Sequence, residues 1–151
     1  MASERTLVLV KPDGVQRGLI GQVLGRLEQR GLKLIGLKLM QMDEALANRH
    51  YAEHVDKPFF PGLRDFITSS PLVAAVFEGD NAVQLVRNAM GATHPLDATP
   101  GSIRGDFGVD LGRNVIHGSD SPESGLRESA LFFDPAELVE WTRDSERWIY
   151  E

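Results

Sequence analysis

The chain has 151 residues, of which 42% are apolar and 25% charged; 16 basic against 22 acidic side chains give a formal net charge of −6. This is the balance of one ordinary globular domain, spanning residues 1–151, with enough apolar residues for its own core, and it excludes wholesale disorder. The acidic excess argues against nucleic acid as the main partner, and the lack of cysteine excludes disulfides, thiolate metal sites and a Cys nucleophile.

Met1-Ala2-Ser3-Glu4-Arg5 leads into the short apolar run Thr6 to Val10 with no signal-peptide pattern. The run is far shorter than a membrane span, so a cytoplasmic protein with no membrane partner is expected. Thr6 to Val10 reads as a buried strand, ended by a turn at Lys11-Pro12-Asp13-Gly14. Leu19, Ile20, Val23, Leu24 and Leu27 form one helical stripe, closed by Gly31. Residues 32–42 suggest a second strand. Asp43 suits an N-cap for a helix through about His54. Pro58 and Pro61 break that pattern, and a further short helix is expected to run to Thr68.

Leu72 to Phe77 is continuously apolar, hence a central strand. Gly79-Asp80-Asn81 turns into a helix carrying Val83, Val86 and Met90. Residues 91–113 are rich in glycine, include Pro95 and Pro100, and show little periodicity; a loop of that length in a small domain is usually functional or disordered. Asn114 to His117 leaves it as a β-like stretch, and Ser121-Pro122 is an N-cap and first-turn pair. Leu131-Phe132-Phe133 reads as a short strand, and Asp134-Pro135-Ala136-Glu137 as a capping box. The order is the split βαβ pattern of an α+β, ferredoxin-like βαββαβ fold: a four-stranded antiparallel sheet covered by helices, with an inserted helical pair and a long loop before His117.

No standard phosphate loop is present: neither G-x-x-x-x-G-K-[ST] nor G-x-G-x-x-G occurs, and H-E-x-x-H and G-x-S-x-G are absent too. The strongest local signal is Arg113-Asn114-Val115-Ile116-His117-Gly118-Ser119-Asp120-Ser121. Its histidine reads either as a nucleophile, with Gly118 allowing close approach, or as a loop histidine merely hydrogen-bonded. Lys11, Arg87 and Arg104, from well-separated segments, are the candidate phosphate cations, with Thr93 and Asn114 as donors; each alone reads equally as a surface residue. His50 and His54 share a helix face at a spacing that can hold zinc, but no third ligand is evident, and two ordinary histidines are the favoured reading. Phe59 and Phe60 sit in the constrained loop Lys57 to Gly62, where one ring is free to stack on a nucleobase. The apolar ending Trp148-Ile149-Tyr150-Glu151 must dock on its own domain or on a neighbour.

Taken together, TLVLVKPDGVQR at 6–17, KPFFPG at 57–62, MGATHP at 90–95, PGSIRGDFG at 100–108, RNVIHGSDS at 113–121 and the final WIYE resemble the nucleoside diphosphate kinase family across nearly the whole chain. The resemblance implies phosphoryl transfer from a nucleoside triphosphate to a nucleoside diphosphate by a ping-pong route. It implies that His117 is the phosphorylated nucleophile, oriented by Glu128 with Ser119 in support, with Lys11 at the sugar hydroxyl and terminal phosphate and Tyr51 beside the histidine. It implies that Arg87, Thr93 and Arg104 bind phosphates, that Asn114 binds the sugar, and that Phe59 stacks on the base opposite Leu111, where many relatives carry valine. Mg2+ would be held by substrate phosphates and water, with no direct protein ligand. A homo-oligomer is expected, a hexamer rather than a tetramer. The competing reading is a non-catalytic nucleic-acid-binding or regulatory protein on the same fold.

Overall fold

Alternate residues of the inner strands face two different cores, which is why those strands are apolar at every position rather than at every second one. The computed structural model describes residues 3–151; Met1 and Ala2, which head the N-terminal segment read above, lie outside them. Strands β1 (Glu4–Val10), β2 (Lys33–Met40), β3 (Leu72–Gly79) and β4 (Ile116–Gly118) form one antiparallel sheet in the order β2-β3-β1-β4. β1 and β2 run the same way with β3 between them, which is the expected split βαβ arrangement. Val8, Val10, Val73, Ala75 and Phe77 pack on helices α2 (Ile20–Gln29) and α5 (Ala82–Met90). Leu7, Leu9, Leu72, Ala74 and Val76 pack under α3 (Glu44–His50), α4 (Phe60–Ile67) and α7 (Pro122–Phe132).

Local chemistry explains most boundaries. Asp43 accepts a hydrogen bond from the Leu46 amide and Ser121 one from the Ser124 amide, so both act as the N-caps expected of them. Gly31, at φ +100, takes the left-handed position that ends α2. The Glu137 carboxylate accepts from the Asp134 amide, completing half of a capping box around a single 3-10 turn.

Four expectations need correction. Lys11 to Gly14 is no simple turn: Pro12 opens a short helix, α1 (Pro12–Gln16), at the position where a missing N–H costs nothing. The helix capped by Asp43 stops at His50, and Ala52–His54 form a separate 3-10 turn beyond Tyr51. The further short helix expected up to Thr68 is α4, with Pro61 in its first turn and Thr68 as its C-cap. The 91–113 segment contains a 3-10 turn at Pro95–Asp97 and a helix, α6 (Ile103–Phe107), capped by Ser102. Leu131 and Phe132 close α7 rather than forming a strand. The buried side of that helix runs Ser124, Gly125, Glu128, Ser129 and Phe132, and its small and polar members hide the periodicity from a hydrophobic pattern.

Candidate functional site

β4 meets β1 through only three residue pairs, Val8 with Gly118, Leu9 with His117 and Val10 with Ile116. Delivering it there requires a sharp change of direction at Val115. This residue has φ +74, a left-handed conformation that a β-branched side chain rarely adopts and that costs of the order of 1–3 kcal/mol. Two bonds hold it: the Lys11 amide donates to the Val115 carbonyl, and the Val115 amide donates to Asp13 Oδ2, each at 2.9 Å. The turn places the His117 side chain at the wall of a cavity of about 440 Å³.

Behind His117 runs a chain of donors. The Leu7 amide donates to Ser119 Oγ at 3.1 Å, Ser119 Oγ donates to Glu128 Oε1 at 2.7 Å, and the same oxygen lies 2.9 Å from His117 Nε2. Burial alone would raise the Glu128 carboxyl. The bond from His117, its nearby charge and the Ser119 hydroxyl outweigh that and hold the carboxyl at about 2. An ionised carboxylate can only accept, so Nε2 donates to it, and in the neutral form of the ring the lone pair is then on Nδ1.

The opposite wall is cationic. Arg104, almost wholly buried, donates from Nε to the Asn114 carbonyl, from Nη2 to that of Ile116 and from Nη1 to that of Gly91. Of a guanidinium's five N–H groups, two remain for a ligand. Its burial, and then the charge of Arg87, lower its pKa to about 10. Arg87 donates to the Gly118 carbonyl at 3.3 Å. Lys11 is lowered to about 8, first by burial, then by Arg104, with Asp13 opposing. Asn114 Nδ2 bonds the Thr93 carbonyl at 2.9 Å, while its Oδ1 is buried without a partner in the chain, an acceptor open to a ligand hydroxyl. Tyr51 lines the same wall, and burial raises its phenol above the ordinary range.

Lys11, Tyr51, Arg87, Thr93, Arg104, Asn114, His117 and Glu128 therefore line one cavity, with Ser119 buried directly behind. Phe59 and Leu111 do not line it. They stand 54% and 50% exposed, and Phe59 is connected to the wall through His54, whose ring centroid is 5.5 Å away. Gly118 is explained differently from the sequence reading: a side chain there would strike Met90 Sδ at 2.5 Å, so the glycine lets α5 close on β4 rather than admitting a ligand. Sequence reasoning missed Asp13, which holds the Val115 turn, and Arg127, Asp120 and Ser124 on the wall. Asp13 had a signal in its place beside Lys11 and Asp120 one in the 113–121 segment, whereas Ser124 and Arg127, in the first two turns of α7, had none. His50 turns its ring toward His117, centroids 4.8 Å apart, rather than pairing with His54.

An ionised carboxylate that orients an imidazole, in a cavity also lined by a cluster of cations, is the arrangement of a phosphoryl-handling protein, here on a ferredoxin-like fold. The comparisons with known proteins are more particular. The nucleoside diphosphate kinase family model matches residues 4–138. The chain is 64% identical over 150 residues to a nucleoside diphosphate kinase of Chloroflexus aurantiacus, covering 98% of this chain and 99% of that one. It is 58% identical to one of Archaeoglobus fulgidus, covering 98% of each. It superposes with a TM-score of 0.97, at 60% identity over 99% of this chain and 100% of the other, on a halophilic nucleoside diphosphate kinase from Halobacterium salinarum in complex with CDP. The chain belongs to the nucleoside diphosphate kinase family and is a phosphotransferase.

Proposed function

We propose that the protein moves the terminal phosphoryl group of a nucleoside triphosphate to a nucleoside diphosphate through a covalent intermediate on His117 Nδ1. The observation that carries this reading is the Glu128 Oε1 contact to Nε2 at 2.9 Å, because it engages that nitrogen and leaves Nδ1 of the neutral ring as the one with a lone pair, in a cavity also lined by Lys11, Arg87 and Arg104. The Nδ1 lone pair attacks the terminal phosphorus as the bond to the bridging oxygen breaks, and the diphosphate leaves with that electron pair. Positive charge developing on the ring is balanced by Glu128, held in place by Ser119. Lys11, Arg87 and Arg104 neutralise the moving phosphoryl oxygens, and an acceptor diphosphate oxygen later reverses the step.

Thr93 and Asn114 would bind the phosphates and sugar, Tyr51 would pack beside the histidine, and the base would lie at the mouth against Phe59, with Leu111 as its apolar partner. Stacking without a hydrogen-bonded reader of the base edge gives broad base tolerance. The donor set suits magnesium that arrives on the substrate: the wall offers mainly cations, Glu128 is already engaged, and Asp120 and Glu53 are left for the ion's water shell. When bound, the ion supplies charge neutralisation between the phosphates. No described helix is long and apolar enough to cross a membrane, which is compatible with work in the cytoplasm.

Initial-rate kinetics test the reading. Varying ATP at several GDP concentrations should give parallel double-reciprocal lines, and His117→Ala should lose at least about 10⁴-fold in turnover. Intersecting lines together with a largely active His117→Ala variant would overturn it.

A further inference from the structure

His50, the last residue of α3, has both ring nitrogens buried and without a hydrogen-bond partner in the chain. Its ring sits edge-on to those of Tyr51, His117 and Phe132, with centroids 4.5, 4.8 and 5.1 Å away, so packing holds it while its nitrogens go unused. Two ring nitrogens, a donor and an acceptor in the neutral imidazole, left without partners in the interior call for an explanation. One potential ligand atom each from His50, His117 and Glu128 lies within 4.8 Å of the others.

We propose that His50, His117 and Glu128 form a site for one zinc-class divalent cation whose binding blocks phosphoryl uptake; the blocking, though not the binding, rests on His117 being the nucleophile. Two imidazoles and a carboxylate are the donor set of an open zinc site, with the fourth position facing cavity water. Magnesium, a hard ion that prefers oxygen, does not compete for such donors, so the site is separate from the metal that travels with the nucleotide. A tetrahedral ion with bonds of about 2.0–2.1 Å needs donors about 3.4 Å apart. His117 Nε2 and Glu128 Oε1 are already at 2.9 Å, and the ligand atom of His50, within 4.8 Å of those of both partners, has little more than about 1 Å to close. Ser119 donates to Glu128 Oε1 and fixes the carboxylate, as an outer partner does for metal-binding carboxylates. If the ion takes Nε2 of His117, the proton shared with Glu128 passes to solvent and the ring loses its orienting carboxylate. If it takes Nδ1, it uses the lone pair that would attack phosphorus. Both modes stop the reaction.

The test is a titration of tag-free, nucleotide-free protein with cobalt(II), followed by visible absorption, and with zinc by equilibrium dialysis. One ion per chain is expected, with the intense visible bands of four-coordinate cobalt. His50→Gln and Glu128→Gln should each weaken binding at least tenfold, and either suffices if the other fails to fold. Protein first phosphorylated with ATP and magnesium should also bind at least tenfold more weakly, while His54→Gln should bind as the parent does. Absence of a saturable spectrum, unchanged affinity in His50→Gln, or loss of the site in His54→Gln would overturn the site. A metal that binds as described while the phosphoryl label maps away from His117 would uphold the binding and overturn the blocking.

Discussion

Lys11 shows how one buried charge sets a working range. Its ammonium is brought down to about 8 by burial and by Arg104, from an ordinary value of 10.5. The charged form, the one proposed to bind phosphate, is therefore full well below pH 8 and lost as pH rises through it. In kcat/KM for nucleotide, which reports the free enzyme, a descending alkaline limb near pH 8 is expected. Lys11→Arg should remove that limb, because a guanidinium stays charged, while lowering the plateau through its different shape. A limb of the same midpoint in the arginine variant would show that another group titrates. The sign for stability is opposite: between 8 and 10.5 the unfolded chain holds the proton that the folded one has released, so stability rises with pH across that window.

At the scale of elements, the site depends on how closely α7 can lie on β1. Gly125 permits this: a side chain there would run into the Arg5 carbonyl of β1, which is backbone and cannot turn aside. Gly125→Ala should cost about 1–3 kcal/mol, and it should lower turnover as well because Glu128 rides on the same helix. Gly21→Ala is the contrast, since nothing lies within 4 Å of that exposed position in α2 and removing a helical glycine gains about 0.5–1 kcal/mol. Thermal unfolding of the two variants checks both signs; a Gly125→Ala protein as stable and active as the parent would mean that the α7 to β1 contact is not what fixes Glu128. The same contact explains what could be read in advance. Runs such as Thr6 to Val10 and Leu72 to Phe77 announce strands because both their faces are buried. α7 buries two serines, a glycine and a glutamate, so its last turn looked like a strand. The Val115 turn was invisible for another reason: its left-handed φ is imposed by Asp13, 102 positions away in the chain.

For the whole molecule, most site residues were legible because they sit in distinctive segments, yet their convergence is a property of the sheet. β1 supplies the strand end before Lys11, and β4, its neighbour, carries His117. Phe59 and Leu111 are the residues least placed by the single chain, both half-exposed outside the cavity. The tail docks partly on its own domain: the Tyr150 hydroxyl accepts from the Asp80 amide, and Ile149 packs on Gly31, while Trp148 stays 78% exposed. Leu96 and Val109, in the 91–113 segment, are similarly bare. Such apolar surface is expected to be covered in a homo-oligomer, and light scattering should give a mass near six times the 16.7 kDa chain; a monomer at micromolar concentration would contradict this.

The central claim concerns one nitrogen, and one measurement addresses it. Protein mixed with ATP and magnesium but no acceptor should release up to one ADP per chain and gain the mass of one phosphoryl group. Phosphorus and nitrogen NMR of that species should place the new bond on Nδ1 of His117, with Nε2 still protonated toward Glu128, and adding GDP should discharge it as GTP. A phosphoryl group found on Nε2, or on Ser119, or none formed before the acceptor is added, would contradict the account.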